Sequence, residues 1–277
     1  MSDPLSNRQY HLGAAPGDVA RSILLVGDPD RAALAATLLT DIRFTSQKRD
    51  YHIYTGRHRE LELSVVCVGM GAGCMEIAVV ELCQIVERPM LIRAGSAGAI
   101  QPEIRLGELV ITQGALRMES ASLGYVDVGF PAFAHAEAQV ALVRAAHELG
   151  LPYHVGVTAT APGFFGAQGR SVPGFAARDR ELVTRLAQQG VKNLEMETSC
   201  LLTLAALRGL RAGAVCAIFA HRLDDSVVSE EQKEKAQRDV IAVGLEGLQH
   251  LARMEVETGA GPHWHEGLGE TSPRRGL

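Results

Sequence analysis

The stretch LELSVVCVGMGAGCMEIAVVELCQIVERPMLIRAGSAG, residues 61–98, decides the fold. Residues 61–69 are a short apolar run rich in Val that ends in a glycine-rich bend, Gly69 to Gly73. Residues 74–87 carry apolar side chains at helical spacing. MLIRAG, residues 90–95, reads as a second strand, and glycines follow it again. The same alternation extends in both directions. SILLVG (22–27), GELVITQG (107–114), YHVGVTAT (153–160) and AGAVCAIFAH (212–221) read as further strands. Residues 136–150, 197–210 and 229–254 read as helices. Strands alternating with helices predict an α/β fold, with a largely parallel or mixed sheet covered on both faces. No composition break divides residues 1–254, so one domain is expected there. Residues 255–277 are rich in Gly, Pro, Ser and charge and predict a disordered tail. His263 and His265 flank Trp264 in that tail, a weak metal signal, and no metal site is expected.

Composition narrows the function classes. The chain has 277 residues, 47% apolar and 21% charged, which is ordinary for a soluble globular protein. A net charge of -5 supplies no broad basic field, so nucleic acid is not an expected partner. No apolar run approaches the roughly 20 residues a membrane span needs. No basic region followed by an apolar block opens the chain, so no signal peptide is expected. The cysteines are odd in number and form no C-x-x-C pair, as expected of reduced thiols in a cytoplasmic protein.

In α/β sheets, ligands bind beyond the carboxyl ends of the strands. GDPDR follows the first strand with Gly27 and Arg31, and GMGAG follows the next apolar run. The strand at 90–95 carries Arg93 and runs into GSAG, Gly95 to Gly98. Glycine lets backbone N–H groups approach an anion, and arginine offers a forked donor, so an anion site is expected. A dinucleotide fingerprint fails here, because Cys74 stands where its third glycine should be. Arg93 ends an otherwise apolar strand, a costly placement without an anionic partner. NLEMETSCLLTLAA, residues 193–206, sets Glu195 and Glu197 where a strand hands over to an apolar helix. Acidic residues favour a helix N-terminus through its dipole, so the pair alone does not separate a structural role from a chemical one.

GDPDR, GMGAG, LIRAGSAGAIQP, HVGVTAT, FFGAQGR and NLEMET resemble, in this order, the nucleoside phosphorylase family of hexameric or dimeric subunits, most nearly its uridine phosphorylase branch. The likeness covers residues 8–254 and implies a three-layer α/β/α sandwich with a mixed central sheet. It implies phosphate ligands at Gly27, Arg31 and Arg93, with Ser96 where the family more often has Thr. Arg49 matches an arginine lent by the neighbouring subunit, and His11 a histidine that reaches across the same interface to the ribose 5′-hydroxyl. Glu197 and the Met196 backbone match the group that holds the ribose 2′- and 3′-hydroxyls, with Glu195 beside them. Phe164 matches an aromatic beside sugar and base, and Gln168 and Arg170 the pair that reads the uracil edge. Arg222 matches a residue that braces a flap over the base.

The implied reaction is uridine plus phosphate giving uracil plus ribose 1-phosphate. Arg93, Glu197, Arg170 and Gln168 would carry its catalysis. Phosphate is a co-substrate, and no cofactor is implied beyond a monovalent cation such as K⁺ at a dimer interface, near Asp50 and Cys74. A homo-oligomer is implied, dimer-based and extending to a hexamer. The alternatives are a purine nucleoside phosphorylase or nucleosidase of the same fold, and a nucleoside-binding protein without activity. Purine members carry Ser-Asp after the last core strand, where this chain has Phe219, Ala220 and His221 and no acid before Asp224. Nucleosidases of the fold usually lack the phosphate arginines that this chain carries.

Overall fold

The structure, a computed structural model, describes residues 7–258. β1 (Ser22–Val26) leads into α1 (Pro29–Ala36), and β2 (Thr40–Lys48), β3 (Tyr51–His58) and β4 (Leu61–Cys67) follow as an antiparallel meander. α2 (Ala72–Ile85) returns the chain to β5 (Met90–Ala99). β6 (Leu109–Arg117), the short β7 (Ala132–Phe133), α3 (Ala136–Glu148) and β8 (Tyr153–Thr160) come next. α4 (Leu182–Gln188), β9 (Asn193–Glu195), α5 (Thr198–Leu207), β10 (Ala212–His221) and α6 (Glu230–Thr258) complete the described chain.

The sheet is mixed and has two parts. β2, β3, β4, β1 and β5 lie side by side, with β1 parallel to both β4 and β5. β5 also pairs with β10 and β9, and β10, β6, β8 and β9 pair in turn, so the sheet closes on itself beyond β5. Side chains alternate across the pleat. Leu24 and Val26 face one core with α1, α3 and α6, while Ile23 and Leu25 face a second with α2 and α5. This is the expected three-layer arrangement.

The pairing of β5 creates the site. β1 runs beside it only as far as Arg93, and β9 joins it only at Gly98. Between those points β5 keeps β10 on one side. The strands on its other side part there, and a gap opens at the sheet's carboxyl end.

Several elements depart from the expected bounds. β5 does not stop at Gly95 but carries GSAG inside the strand, because β10 pairs with it as far as Ala99. α1, β2, β3, β7 and α4 arise where no periodicity announces them. β2 is almost wholly exposed, so it shows no apolar alternation. α6 continues past residue 254 to Thr258, which corrects the expected start of the tail. Glu255 accepts hydrogen bonds at 2.6 Å from both Arg21 and Arg211, which ties that last turn to the sheet. The rest of the expected tail, with His263, Trp264 and His265, lies outside the described residues.

Candidate active site

The gap beside β5 is a cavity of about 550 Å³. That is within the range of small-molecule sites, roughly 300–1,000 Å³. Gly27, Arg31, Arg93, Ser96, Phe164, Gln168, Arg170, Glu195, Met196 and Glu197 all line it, so the fold gathers these predicted residues from strand ends far apart in sequence.

One end is cationic and buried. Gly27 follows β1 so close to the next strand end that a Cβ there would sit 3.3 Å from the Gly69 carbonyl oxygen. Arg31 lies in the first turn of α1, is 3% exposed, and holds its guanidinium 5.7 Å from the Phe219 ring centre. Its Nη1 reaches the Ala94 carbonyl at 3.4 Å, while its Nε is buried with no hydrogen-bond partner among the described residues. Burial lowers its pKa, and neighbouring Arg93 adds to that. A buried donor of this kind costs free energy until an acceptor meets it. Arg93 is as deeply buried, and donates to Glu197 and, at 3.0 Å, to the Cys216 sulfur. Glu195 lies 3.3 Å from the same guanidinium. Burial opposes the Arg93 charge, but Cys216, Glu197 and Glu195 outweigh it and keep the guanidinium charged.

At the start of α5 the two glutamates divide the work. The Glu195 Oε1 accepts from the Thr160 hydroxyl at 2.5 Å. Its Oε2 accepts from the backbone N–H groups of Glu197 and Thr198, each at 2.9 Å. Glu195 therefore caps the helix, as dipole and orphan N–H groups favour. Both of its oxygens are engaged by the protein, and it lines the cavity beside Glu197. Glu197 turns the other way and accepts from the Gly71 amide and from Arg93. Burial raises its pKa and Glu195 adds to the rise, while Arg93 and the Gly71 amide oppose it. Direct contact with a permanently charged guanidinium is the stronger argument for an ionised Glu197 at neutral pH.

The other end is made of loop. Phe164 is half exposed, and the Arg170 guanidinium stacks 4.1 Å above its ring centre. Arg170 donates to the Gln168 Oε1 at 2.5 Å and to the Phe164 carbonyl at 3.1 Å. Arginine only donates, so this contact fixes the Gln168 amide with its oxygen toward Arg170. Arg222 donates to the Gln168 carbonyl at 3.0 Å, and its Nε and Nη1 are buried without partners among the described residues. Burial, and then Arg222, push the Arg170 pKa down to about 10.

Residues 21–253 match the family model of the Phosphorylase superfamily. The chain belongs to this superfamily. Relatives within it include the uridine phosphorylase of Thermococcus kodakarensis, 41% identical over 266 residues, covering 94% of this chain and 93% of that protein. The uridine phosphorylase of Escherichia coli is 33% identical over 251 residues, 87% of this chain and 97% of that protein. Among solved structures, a uridine phosphorylase from Vibrio fischeri superposes with a TM-score of 0.78 at 26% identity, covering 89% of this chain and 97% of that one.

Not every predicted residue of this phosphorylase-superfamily chain reaches the cavity. Arg49 is exposed at the β2–β3 turn, with left-handed backbone (φ 54°), and its Nη2 lies 3.3 Å from the Tyr10 hydroxyl. His11 sets its Nδ1 2.6 Å from Glu81, which also accepts from the His11 and Leu12 amides. Neither residue lines the cavity within one chain. His221 turns its Nε2 to the Gln101 carbonyl at 3.1 Å, away from the cavity. Sequence reasoning missed Cys216 behind Arg93, and Val227, Val228, Lys233 and Gln237 on the wall. The wall residues lie in no motif. Cys216 is signalled only by its register opposite Gly95 across two strands.

Proposed function

We propose that this chain cleaves uridine with phosphate to uracil and ribose 1-phosphate. The observation that carries the reading is a single cavity lined by two buried arginines, by Glu197 in contact with one of them, and by the Gln168–Arg170 pair. Phosphate is a weak nucleophile, so holding it under the anomeric carbon matters more than activating it. Arg31, with its unpartnered Nε, and Arg93 donate to the phosphate oxygens. Glu197 exchanges its bond from Arg93 for the vicinal ribose hydroxyls, which are donors matched to an acceptor-only carboxylate. A phosphate oxygen then bonds to the anomeric carbon as the bond to the base nitrogen breaks. The bonding pair leaves with the base and spreads onto the uracil carbonyls. Gln168 and Arg170 donate where that charge collects, which is electrostatic stabilisation rather than proton transfer.

The pyrimidine reading is favoured over the purine one by the loop after β10. Among the described residues, neither Asp224 nor Asp225 lines the cavity, and the Asp225 charge is directed to Arg170 and Arg222. A panel of uridine, cytidine and inosine tests this. Uridine leading in kcat/KM is expected, and inosine leading would overturn the base assignment.

The same reading makes the active unit a cytoplasmic dimer, repeated in a hexamer, in which His11 and Arg49 complete the neighbour's site. A monovalent cation at that interface, beside Asp50 and Cys74, belongs to the same reading. Mixing Arg49→Ala subunits with Glu197→Ala subunits is expected to restore activity, because a hybrid dimer holds one intact site. A fully active monomer by light scattering would contradict the assembly.

A further inference from the structure

We propose that Gly95, Cys216 and Gly98 are positioning residues, the first two seating Arg93 at the phosphate end and the third seating Arg222 at the base end. The assignment of a substrate to each end rests on the function proposed above; the seats themselves rest on geometry.

Arg93 and Gly95 lie two apart on β5 and share a face of the strand. The Arg93 side chain folds back along its own strand. A Cβ on Gly95 would lie 2.0 Å from its Nη1 and 2.5 Å from its Cζ, so only glycine leaves room for the guanidinium. Cys216 is the register partner of Gly95 on β10. It is fully buried and sets its sulfur 3.0 Å from the Arg93 Nη1. Glu197 and Glu195 hold the other nitrogen, Nη2. The guanidinium is thus fixed from below by a missing side chain, from one side by sulfur and from the other by carboxylates. Gly98 does the same service for Arg222. A Cβ there would lie 3.0 Å from the Arg222 Cγ and 3.2 Å from its Cδ. The Arg222 amide donates to the Ala99 carbonyl at 2.8 Å, so the backbone cannot retreat to make room. The run Gly-Ser-Ala-Gly therefore clears two arginines and leaves Ser96 between them on the cavity wall.

The test measures the KM of phosphate and of uridine separately for Cys216→Val, Cys216→Ser and Gly98→Ala. Wild-type turnover that saturates with phosphate must come first; its absence overturns the phosphorylase reading itself. Given that saturation, Cys216→Val is expected to raise the phosphate KM roughly 3- to 10-fold, the worth of one net hydrogen bond, with the uridine KM unchanged. Cys216→Ser keeps an acceptor of similar reach and is expected to restore the phosphate KM. Gly98→Ala is expected to raise the uridine KM and spare that of phosphate. Calorimetric binding of inorganic phosphate to Cys216→Val and wild type reads the first seat without turnover. Equal phosphate affinity in the two proteins, a serine variant no better than valine, or a Gly98→Ala that moves the phosphate KM would overturn the proposal.

Discussion

The two ends of the cavity are built from different material. The end proposed to hold phosphate stands on strand ends and a first helical turn, and Arg31 and Arg93 are each 3% exposed there. The end proposed to hold the base stands on the loop from Phe164 to Arg170, where Phe164 is half exposed and Gln168 alone is buried. A rigid scaffold suits an anion of constant shape, and a loop suits the part of the substrate that distinguishes one relative from another. The difference teaches where binding strength and selectivity reside in this site.

The largest expected effect comes from breaking the rigid end. Arg93→Ala leaves Glu195 and Glu197 buried beside each other without their cation. Such a loss costs about 3–5 kcal/mol of stability, read as a lower midpoint in chemical denaturation. The surviving folded enzyme is expected to lose phosphate saturation while its uridine binding changes less. The loop end predicts a smaller, selective effect. Arg170→Met removes a donor that the proposed function sets against a uracil carbonyl, where the cytosine amino group would meet it donor to donor. The uridine-over-cytidine ratio of kcat/KM is expected to fall by a factor of roughly 5 to 150, the cost of an unmatched buried donor. A uniform loss on every nucleoside would erase the proposed contrast between the ends. The smallest effect separates the two glutamates. Glu195→Gln weakens a helix cap, worth about 1 kcal/mol, and is expected to lower stability with turnover largely retained. Glu197→Gln is expected to do the reverse, costing turnover because the carboxylate is proposed to meet the sugar. Equal losses of turnover in both variants would merge the roles that the hydrogen bonds assign.

The same contrast explains what was legible in the sequence. β10 coincides with its apolar run because a strand buried on both faces is written in nearly continuous apolar residues, while β8 keeps its expected bounds although only its last three residues are buried. β2 hides because nearly all of it faces solvent, so its sequence carries no apolar alternation. The closure of the sheet beyond β5 depends on pairings between distant strands that no local pattern records. At the site, Arg93 stood out as a charge in an apolar strand, and Gly27 and Arg31 as residues following one. The division of labour between Glu195 and Glu197 was not legible. It depends on which carboxylate meets the backbone amides of Glu197 and Thr198, and that is set by how β9 enters α5. Cys216, and the contact of Gly98 with Arg222, were silent for a related reason: each meets an arginine distant in sequence, through cross-strand contact.

The most direct measurement of the central claim is the fate of the sugar. Uridine is incubated with the enzyme with and without inorganic phosphate, and uracil, ribose 1-phosphate and free ribose are quantified together. The account predicts one ribose 1-phosphate for each uracil, and no uracil without phosphate. Uracil released at the same rate without phosphate, accompanied by free ribose, would contradict it.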